Sequence, residues 1–198
     1  MFVIGLTGSI AMGKTTTARL FADEGVPVHD ADAAVHKLYA GEAAGLIEVA
    51  FPGSTRNGTV DRVQLGKQVT GDPTALRRLE EIVHPLVRNA ERKFLRDAEI
   101  AGAPIAVLDV PLLFETGGDG RVDATVVVSA PAAMQRERVL ERGVSLERLE
   151  ALLGRQMPDA EKRRRADFVV DSAQGVEHAR AQVQQILAAV AKMPSRRK

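Results

Sequence analysis

Phe2-Val3-Ile4-Gly5-Leu6-Thr7-Gly8-Ser9-Ile10-Ala11-Met12-Gly13-Lys14-Thr15-Thr16 is the stretch on which the fold turns. Phe2 to Leu6 is an apolar run suited to a buried parallel strand. Gly8 to Thr15 then matches the pattern G-x-x-x-x-G-K-S/T in full. Glycines let the backbone turn tightly, so that successive N–H groups face a phosphate. A helix that starts there adds its positive end. Lys14 supplies a cation for the β and γ phosphates, and Thr15 a hydroxyl for Mg²⁺. Four fixed positions match by chance in some glycine-rich turns, so context decides. Lys14 to Glu24 reads as a helix, with Ala18, Leu20, Phe21 and Ala22 apolar and Gly25 as its stop. Val26-Pro27-Val28-His29 reads as a second strand ending at Asp30. Strand, helix and strand within about 30 residues make a βαβ unit. The expected nucleoside triphosphate site is therefore Gly8, Ser9, Ile10, Ala11, Met12, Gly13, Lys14, Thr15 and Thr16.

Further buried strands are expected at Ile105 to Val110, Ala124 to Val128 and Phe168 to Val170. Helices are expected at Met134 to Arg142, Ser145 to Gln156 and Val176 to Lys192, followed by a frayed basic tail from Pro194 to Lys198. The fold class is α/β, a mostly parallel sheet covered by helices on both faces. Leu46 to Ala101 shows helices and no strand, and reads as a lobe inserted over the site. In it Asp61 and Asp72 sit at N-cap positions, Pro73 suits a first helical turn, and Pro85 opens a long surface helix to Ala101. The 198 residues fit one domain: core about 1–40 and 104–192, lobe about 46–101, lid about 131–165. A net charge of +1 argues against holding long nucleic acid by charge alone. The absence of cysteine excludes disulfides, thiolate metal sites and a cysteine nucleophile. No apolar run reaches the roughly 18 residues of a membrane span, and the N-terminus lacks the pattern of a signal peptide. The expectation is a cytoplasmic protein with no membrane and no obligate protein partner.

A triphosphate site serves switch GTPases, regulatory or motor ATPases, and small-molecule kinases. The base-reading Asn-Lys-x-Asp and the Asp-x-x-Gly switch of a Ras-type GTPase are absent, and motor ATPases are usually larger. A small kinase needs an acceptor site after strand two, a lobe that holds the acceptor, and an arginine-bearing lid. Asp30-Ala31-Asp32 lies at the right strand end. One carboxylate there can take the acceptor's proton. The other reading is a helix cap near Ala33, and either aspartate suits either role. Arg136, Arg138, Arg142, Arg148 and Arg155 lie where a lid belongs. Glu137, Glu141, Glu147 and Glu150 interleave with them, so a solvated ion-pair face competes, with one or two arginines left for phosphate. Asp109 ends an apolar run, as a Mg²⁺-holding carboxylate does; a turn before Pro111 explains it equally. The rival readings are a nucleoside monophosphate kinase and a non-catalytic nucleotide-binding regulator.

Taken with Asp30-Ala31-Asp32, His84-Pro85-Leu86-Val87, Val110-Pro111-Leu112-Leu113-Phe114-Glu115, Gln156-Met157 and Ala166-Asp167-Phe168-Val169-Val170-Asp171, the P-loop resembles the dephospho-coenzyme A kinase family. The likeness runs to about Val190. It implies ATP-dependent phosphorylation of the ribose 3′-hydroxyl of dephospho-coenzyme A, giving coenzyme A and ADP. It implies Asp32 as the base-like residue, Arg138 and Arg142 as lid residues, and the middle helices as the acceptor lobe. It points to His84 and Leu113, beside Asp30 and Asp32, as acceptor-binding, although a helix-start His84 packed by Pro85 is the blander reading. Thr15 and Asp109 are the expected metal-holding pair, with the turn reading of Asp109 still open. The family loop is often Gly-Gly-Ile-Gly-Ser-Gly-Lys-Ser. Here Ser9, Ala11 and Met12 replace three small residues, which predicts altered loop flexibility and a Met12 that crowds the nucleotide. Ser172 stands where many members carry Asn, which leaves the adenine contacts open.

Overall fold

The computed structural model describes residues 1–154 and 156–196. β1 (Phe2–Thr7) is buried at all six positions. It runs parallel to β5 (Ile105–Asp109) on one side, with Ile4 opposite Val107. On the other side it runs parallel to β6 (Ala124–Ser129), with Leu6 opposite Val126. β7 (Phe168–Asp171) extends the sheet beyond β6, again parallel, and β2 (Val28–Asp30) closes the far side in the order β2-β5-β1-β6-β7. Strands buried on both faces read as unbroken apolar runs, which is why the sequence showed them. Parallel strands put the carboxyl ends of β1, β5, β6 and β7 on one edge, where ligands of open α/β sheets gather.

The chain divides into two compact units, one of Met1–His29 with Ala98–Lys198, the other of Asp30–Asp97. In the first unit, Ile4, Leu6, Val107, Val126 and Val170 pack against α1 (Lys14–Asp23) and α9 (Val176–Val190) through Leu20, Phe21, Val183 and Ile186. On the opposite face of β1, a Cβ on Gly5 would lie 2.7 Å from Leu113 Cδ2, so only glycine admits that packing. α6 (Ala132–Glu141), α7 (Leu146–Leu153) and α8 (Asp159–Arg165) fill the stretch between β6 and β7. The sequence reading missed α8.

The second unit holds α2 (Ala31–Tyr39), α3 (Glu42–Ala50), α4 (Arg62–Val69) and most of α5 (Pro73–Ile100). Its core is Leu38, Ala44, Ile47, Phe51, Leu65 and Val83. Asp61 and Asp72 cap α4 and α5 as expected, accepting from backbone N–H groups at 2.8–3.1 Å. Three expectations fail. A small hairpin, β3 (Thr55–Arg56) and β4 (Thr59–Val60), interrupts the stretch that read as strandless. Its turn is Asn57-Gly58, both left-handed (φ 53° and 75°), the signature of a tight hairpin. Pro85 opens no helix: α5 runs through it. Leu79, Ile82, Val83, Leu86 and Val87 form one apolar stripe across the proline, and burying it outweighs the lost backbone hydrogen bond. Nor is the C-terminal tail frayed as far as Arg196, as shown below. No helix among the described residues is long and apolar enough to cross a membrane.

Candidate active site

The loop from Gly8 to Gly13 joins β1 to α1. A Cβ on Gly8 would come within 2.7 Å of the Val128 carbonyl, so only glycine lets the loop pass β6. Gly13 is left-handed, with φ 93°. Ala11 is left-handed too, at φ 60°, a conformation that costs a non-glycine residue roughly 1–2 kcal/mol.

A loop that turns its N–H groups toward a phosphate must turn its carbonyls away, and those need donors. Every carbonyl from Ser9 to Gly13 has one. Ser9 O accepts from Met12 N at 3.2 Å. Ile10 O accepts from Gln135 Nε2 at 2.8 Å. Ala11 O accepts from Arg138 Nη1 at 3.4 Å. Met12 O accepts from Ser172 Oγ at 2.7 Å. Gly13 O accepts from the Thr17 amide and hydroxyl at 3.0 and 3.2 Å. The amides of Gly13, Lys14 and Thr15 lie at the open start of α1, where helical N–H groups lack carbonyl partners. The loop thus has the form expected of an anion cradle, and α6 and the residue after β7 hold it from outside.

Met12, expected to crowd the nucleotide, is buried. It is 3% exposed, and its sulfur accepts from Ala130 N at 3.2 Å. Lys14 Nζ pairs with Asp109 Oδ1 at 2.5 Å, across the end of β5. Thr15 and Thr16 are exposed on the first turn of α1. No group of three or more His, Cys, Asp or Glu that could hold a metal exists among the described residues. The donor set at hand is one hydroxyl, Thr15, and one carboxylate, Asp109. That suits a small hard cation completed by phosphate oxygens and water.

Arg138 and Arg142 line one cleft of about 260 Å³ with Gly13, Thr16, Thr17 and Ser172. Arg138 is held: Nη1 donates to Ser172 Oγ at 3.0 Å and Nη2 to Ser172 O at 2.7 Å. Arg142 is exposed and makes no hydrogen bond or ion pair among the described residues. The ion-pair face expected from the interleaved glutamates does not form among the described residues: Arg136, Arg142 and Arg148 pair with none of Glu137, Glu141, Glu147 or Glu150. Arg155 lies outside the described residues. Sequence reasoning missed Gln135, a buried polar side chain, because one glutamine on a helix carries no spacing signal.

Sequence reasoning also missed Lys162, which is fully buried and pairs with Glu115 Oε1 at 2.9 Å. Met157 N–H donates to the same oxygen at 2.9 Å. Burial pushes the Glu115 carboxyl up, but these bonds outweigh it and hold the group below the ordinary glutamate range. Arg165 stacks over Phe114 at 4.9 Å and pairs with Asp119 at 3.0 Å, so α8 grips the segment after β5 at three points. Leu113 is 1% exposed and packs on Gly5 and Gly118.

In the second unit the two aspartates separate. Asp30 caps α2, accepting from Ala33 N at 2.9 Å. Asp32 sits in the first turn, exposed and with no hydrogen bond or ion pair among the described residues. It borders a groove of about 530 Å³. His84 is exposed in the middle of α5, not at a helix start.

A family model described as dephospho-CoA kinase matches residues 2–178. Proteins named dephospho-CoA kinase from Rhodopseudomonas palustris (strain BisB18) and Bradyrhizobium diazoefficiens are each 62% identical over 198 residues, covering all of both chains. Among solved structures, TT1252 from Thermus thermophilus matches with a TM-score of 0.86 and 36% identity, covering 96% of this chain and 97% of that one. Dephospho-CoA kinase from Campylobacter jejuni matches at 0.71 and 25%, with the same coverage. A shikimate kinase from Acinetobacter baumannii, 16% identical with a TM-score of 0.55, shares the P-loop kinase fold alone, over 96% of this chain and 93% of its own. With identity this high over its whole length, the chain belongs to the dephospho-CoA kinase family.

Proposed function

We propose that the chain transfers the γ-phosphoryl group of ATP to the ribose 3′-hydroxyl of dephospho-coenzyme A, forming coenzyme A and ADP, the last step of coenzyme A synthesis. The observation that carries this is full-length family membership, joined to a P-loop in which every carbonyl from Ser9 to Gly13 has a donor. The 3′-oxygen bonds to the γ-phosphorus as the bond to the β,γ-bridging oxygen breaks. The electron pair leaves with ADP, and the hydroxyl proton passes to Asp32. The transition state is loose, so positioning and electrostatics supply most of the catalysis.

The residues from Gly8 to Thr16 are assigned to the ATP phosphates, with Lys14 following the γ-phosphoryl group as it moves. An ATP-using kinase takes a divalent metal. We assign it as Mg²⁺, which the Thr15 hydroxyl and the Asp109 carboxylate would hold and which would offset the negative charge of the phosphates. Asp30 fixes the start of α2, and with it Asp32. Arg142, exposed at the end of α6, is assigned to the transferring phosphate, and Arg138 to holding the loop. The unit Asp30–Asp97 is assigned as the acceptor lobe, with residues about 131–165 as the lid. Leu113 supports the segment after β5 by packing, while His84 remains available for acceptor contact.

Purified protein with ATP, Mg²⁺ and a panel of acceptors tests the assignment. Dephospho-coenzyme A should be phosphorylated far better than AMP, CMP or shikimate. AMP outperforming it would overturn the reading in favour of a nucleotide kinase. ATP binding without transfer to any acceptor would identify a regulator.

A further inference from the structure

Among the described residues, Ala11 and Asn57 are the two that hold a positive φ without being glycine. Asparagine tolerates the left-handed region; alanine does so poorly, because its Cβ crowds the following carbonyl. Ala11 nonetheless stands there at φ 60°. A strained residue persists where its surroundings hold it. Here the surroundings are α6 and α7. Ala11 is 6% exposed and forms an apolar cluster with Val139 of α6 and Leu149 of α7, with Val144 and Leu153 packed against them. The methyl is the whole of the Ala11 side chain, so it is the methyl on which these helices rest.

Val139 in turn carries the end of α6. Its carbonyl accepts from Arg142 N and from Val144 N, each at 3.2 Å. Gln135, Arg138, Val139 and Arg142 follow the spacing i, i+3, i+4, i+7 of one helix face. The first three meet the loop: Gln135 at Ile10 O, Arg138 at Ala11 O, and Val139 at the Ala11 methyl. The fourth, Arg142, lines the cleft with Gly13 and Thr16.

We propose that Ala11 is a positioning residue for phosphoryl transfer: its left-handed backbone aims the methyl at Val139, and through Val139 the methyl sets where Arg142 stands beside the phosphates. This rests on Arg142 meeting the transferring phosphate, as proposed above. Glycine would make the same turn without strain, but it would leave Val139 and Leu149 facing a gap with no partner atoms.

The test measures steady-state turnover of ATP and dephospho-coenzyme A by the full chain, with the thermal midpoint as a check on folding. Ala11→Gly should lower turnover about 10- to 100-fold, the range for displacing a group beside the reacting atoms, while the KM for dephospho-coenzyme A stays unchanged. Arg142→Gln should lose about a hundredfold or more, and adding Ala11→Gly to it should cost nothing further. Adding Val139→Ile to Ala11→Gly should restore part of the turnover, because a methyl gained by α6 replaces the one lost from the loop. Wild-type turnover in Ala11→Gly, beside a large loss in Arg142→Gln, would overturn the seat and leave the arginine's assignment standing. An equal Ala11→Gly loss with and without Arg142 would show that the methyl acts on the loop alone, and would overturn the route through the arginine. Wild-type turnover in Arg142→Gln would remove that arginine from the reaction and this proposal with it.

Discussion

Ser172→Ala probes the external hold on the P-loop. The Ser172 hydroxyl donates to Met12 O and accepts from Arg138 Nη1. Alanine removes both bonds without adding bulk. The neutral bond contributes about 1 kcal/mol net, and a bond to a charged group about 1.5–3 kcal/mol. Arg138 keeps part of its hold through Ser172 O at 2.7 Å and Ala11 O at 3.4 Å. The expected net loss is therefore about 1–3 kcal/mol. For a protein of this size that lowers the thermal midpoint by roughly 3–9 °C. With Met12 O unanchored, the cradle must be ordered again at each binding event. The KM for ATP should rise about tenfold, equivalent to about 1.4 kcal/mol, while the KM for dephospho-coenzyme A stays put. Scanning calorimetry and steady-state kinetics read both quantities. A midpoint within 1 °C of wild type (about 0.3 kcal/mol), together with an unchanged KM for ATP, would refute the idea that outward-tied carbonyls hold the loop open.

Lys14→Ala should lower turnover on the order of a hundredfold or more in a folded protein; near-normal turnover would remove Lys14 from the chemistry. Asp32→Asn should cost roughly a hundredfold to ten-thousandfold in turnover with ATP binding intact. Asp30→Asn, which alters a cap, should act mainly on the thermal midpoint, and the reverse pattern would exchange the two assignments. Glu115 has a depressed carboxyl in the folded state, so its unfolded form binds more protons as the solution is acidified. The stability it confers is complete above the ordinary glutamate value of about 4.3 and is lost as pH falls through the lower folded value. Glu115→Gln should therefore flatten the acid limb of stability against pH; parallel limbs would mean that Glu115 does not titrate with folding.

What the sequence made legible was what repeats or clusters. Buried parallel strands announce themselves as apolar runs, and the phosphate loop packs its chemistry into eight consecutive positions. Caps at Asp61 and Asp72 were readable because their partners lie two and three residues away. Whatever depended on distant partners stayed hidden. Gln135, Arg138 and Ser172 reach the loop across 125, 127 and 160 residues, and no local pattern encodes such distances. Lys162 hid among Arg163, Arg164 and Arg165, a run that reads as solvated although its first member is buried whole. Pro85 misled because local stiffness yielded to a packed stripe. Asn57-Gly58 was a local signal, outweighed by the helical character around it.

Asp123 lies buried at the start of β6, at the edge of the sheet opposite the phosphate loop. One of its oxygens accepts from Val3 N at 2.7 Å, and the other from the Ser195 hydroxyl and Arg196 N, each at 2.7 Å. The Arg196 guanidinium continues to Asp167 at 2.9 Å. One carboxylate therefore fastens Val3 and the Ser195-Arg196 segment of the described chain at the same point. Joining the ends by a short peptide would add little loop entropy. The order in which the strands are synthesised is thus separable from the order in which they pack. A circularly permuted version, opened on the exposed Asn57-Gly58 turn, should keep this sheet and its phosphate loop. Loss of ATP binding in such a permutant would show that the present ends are needed for more than closure.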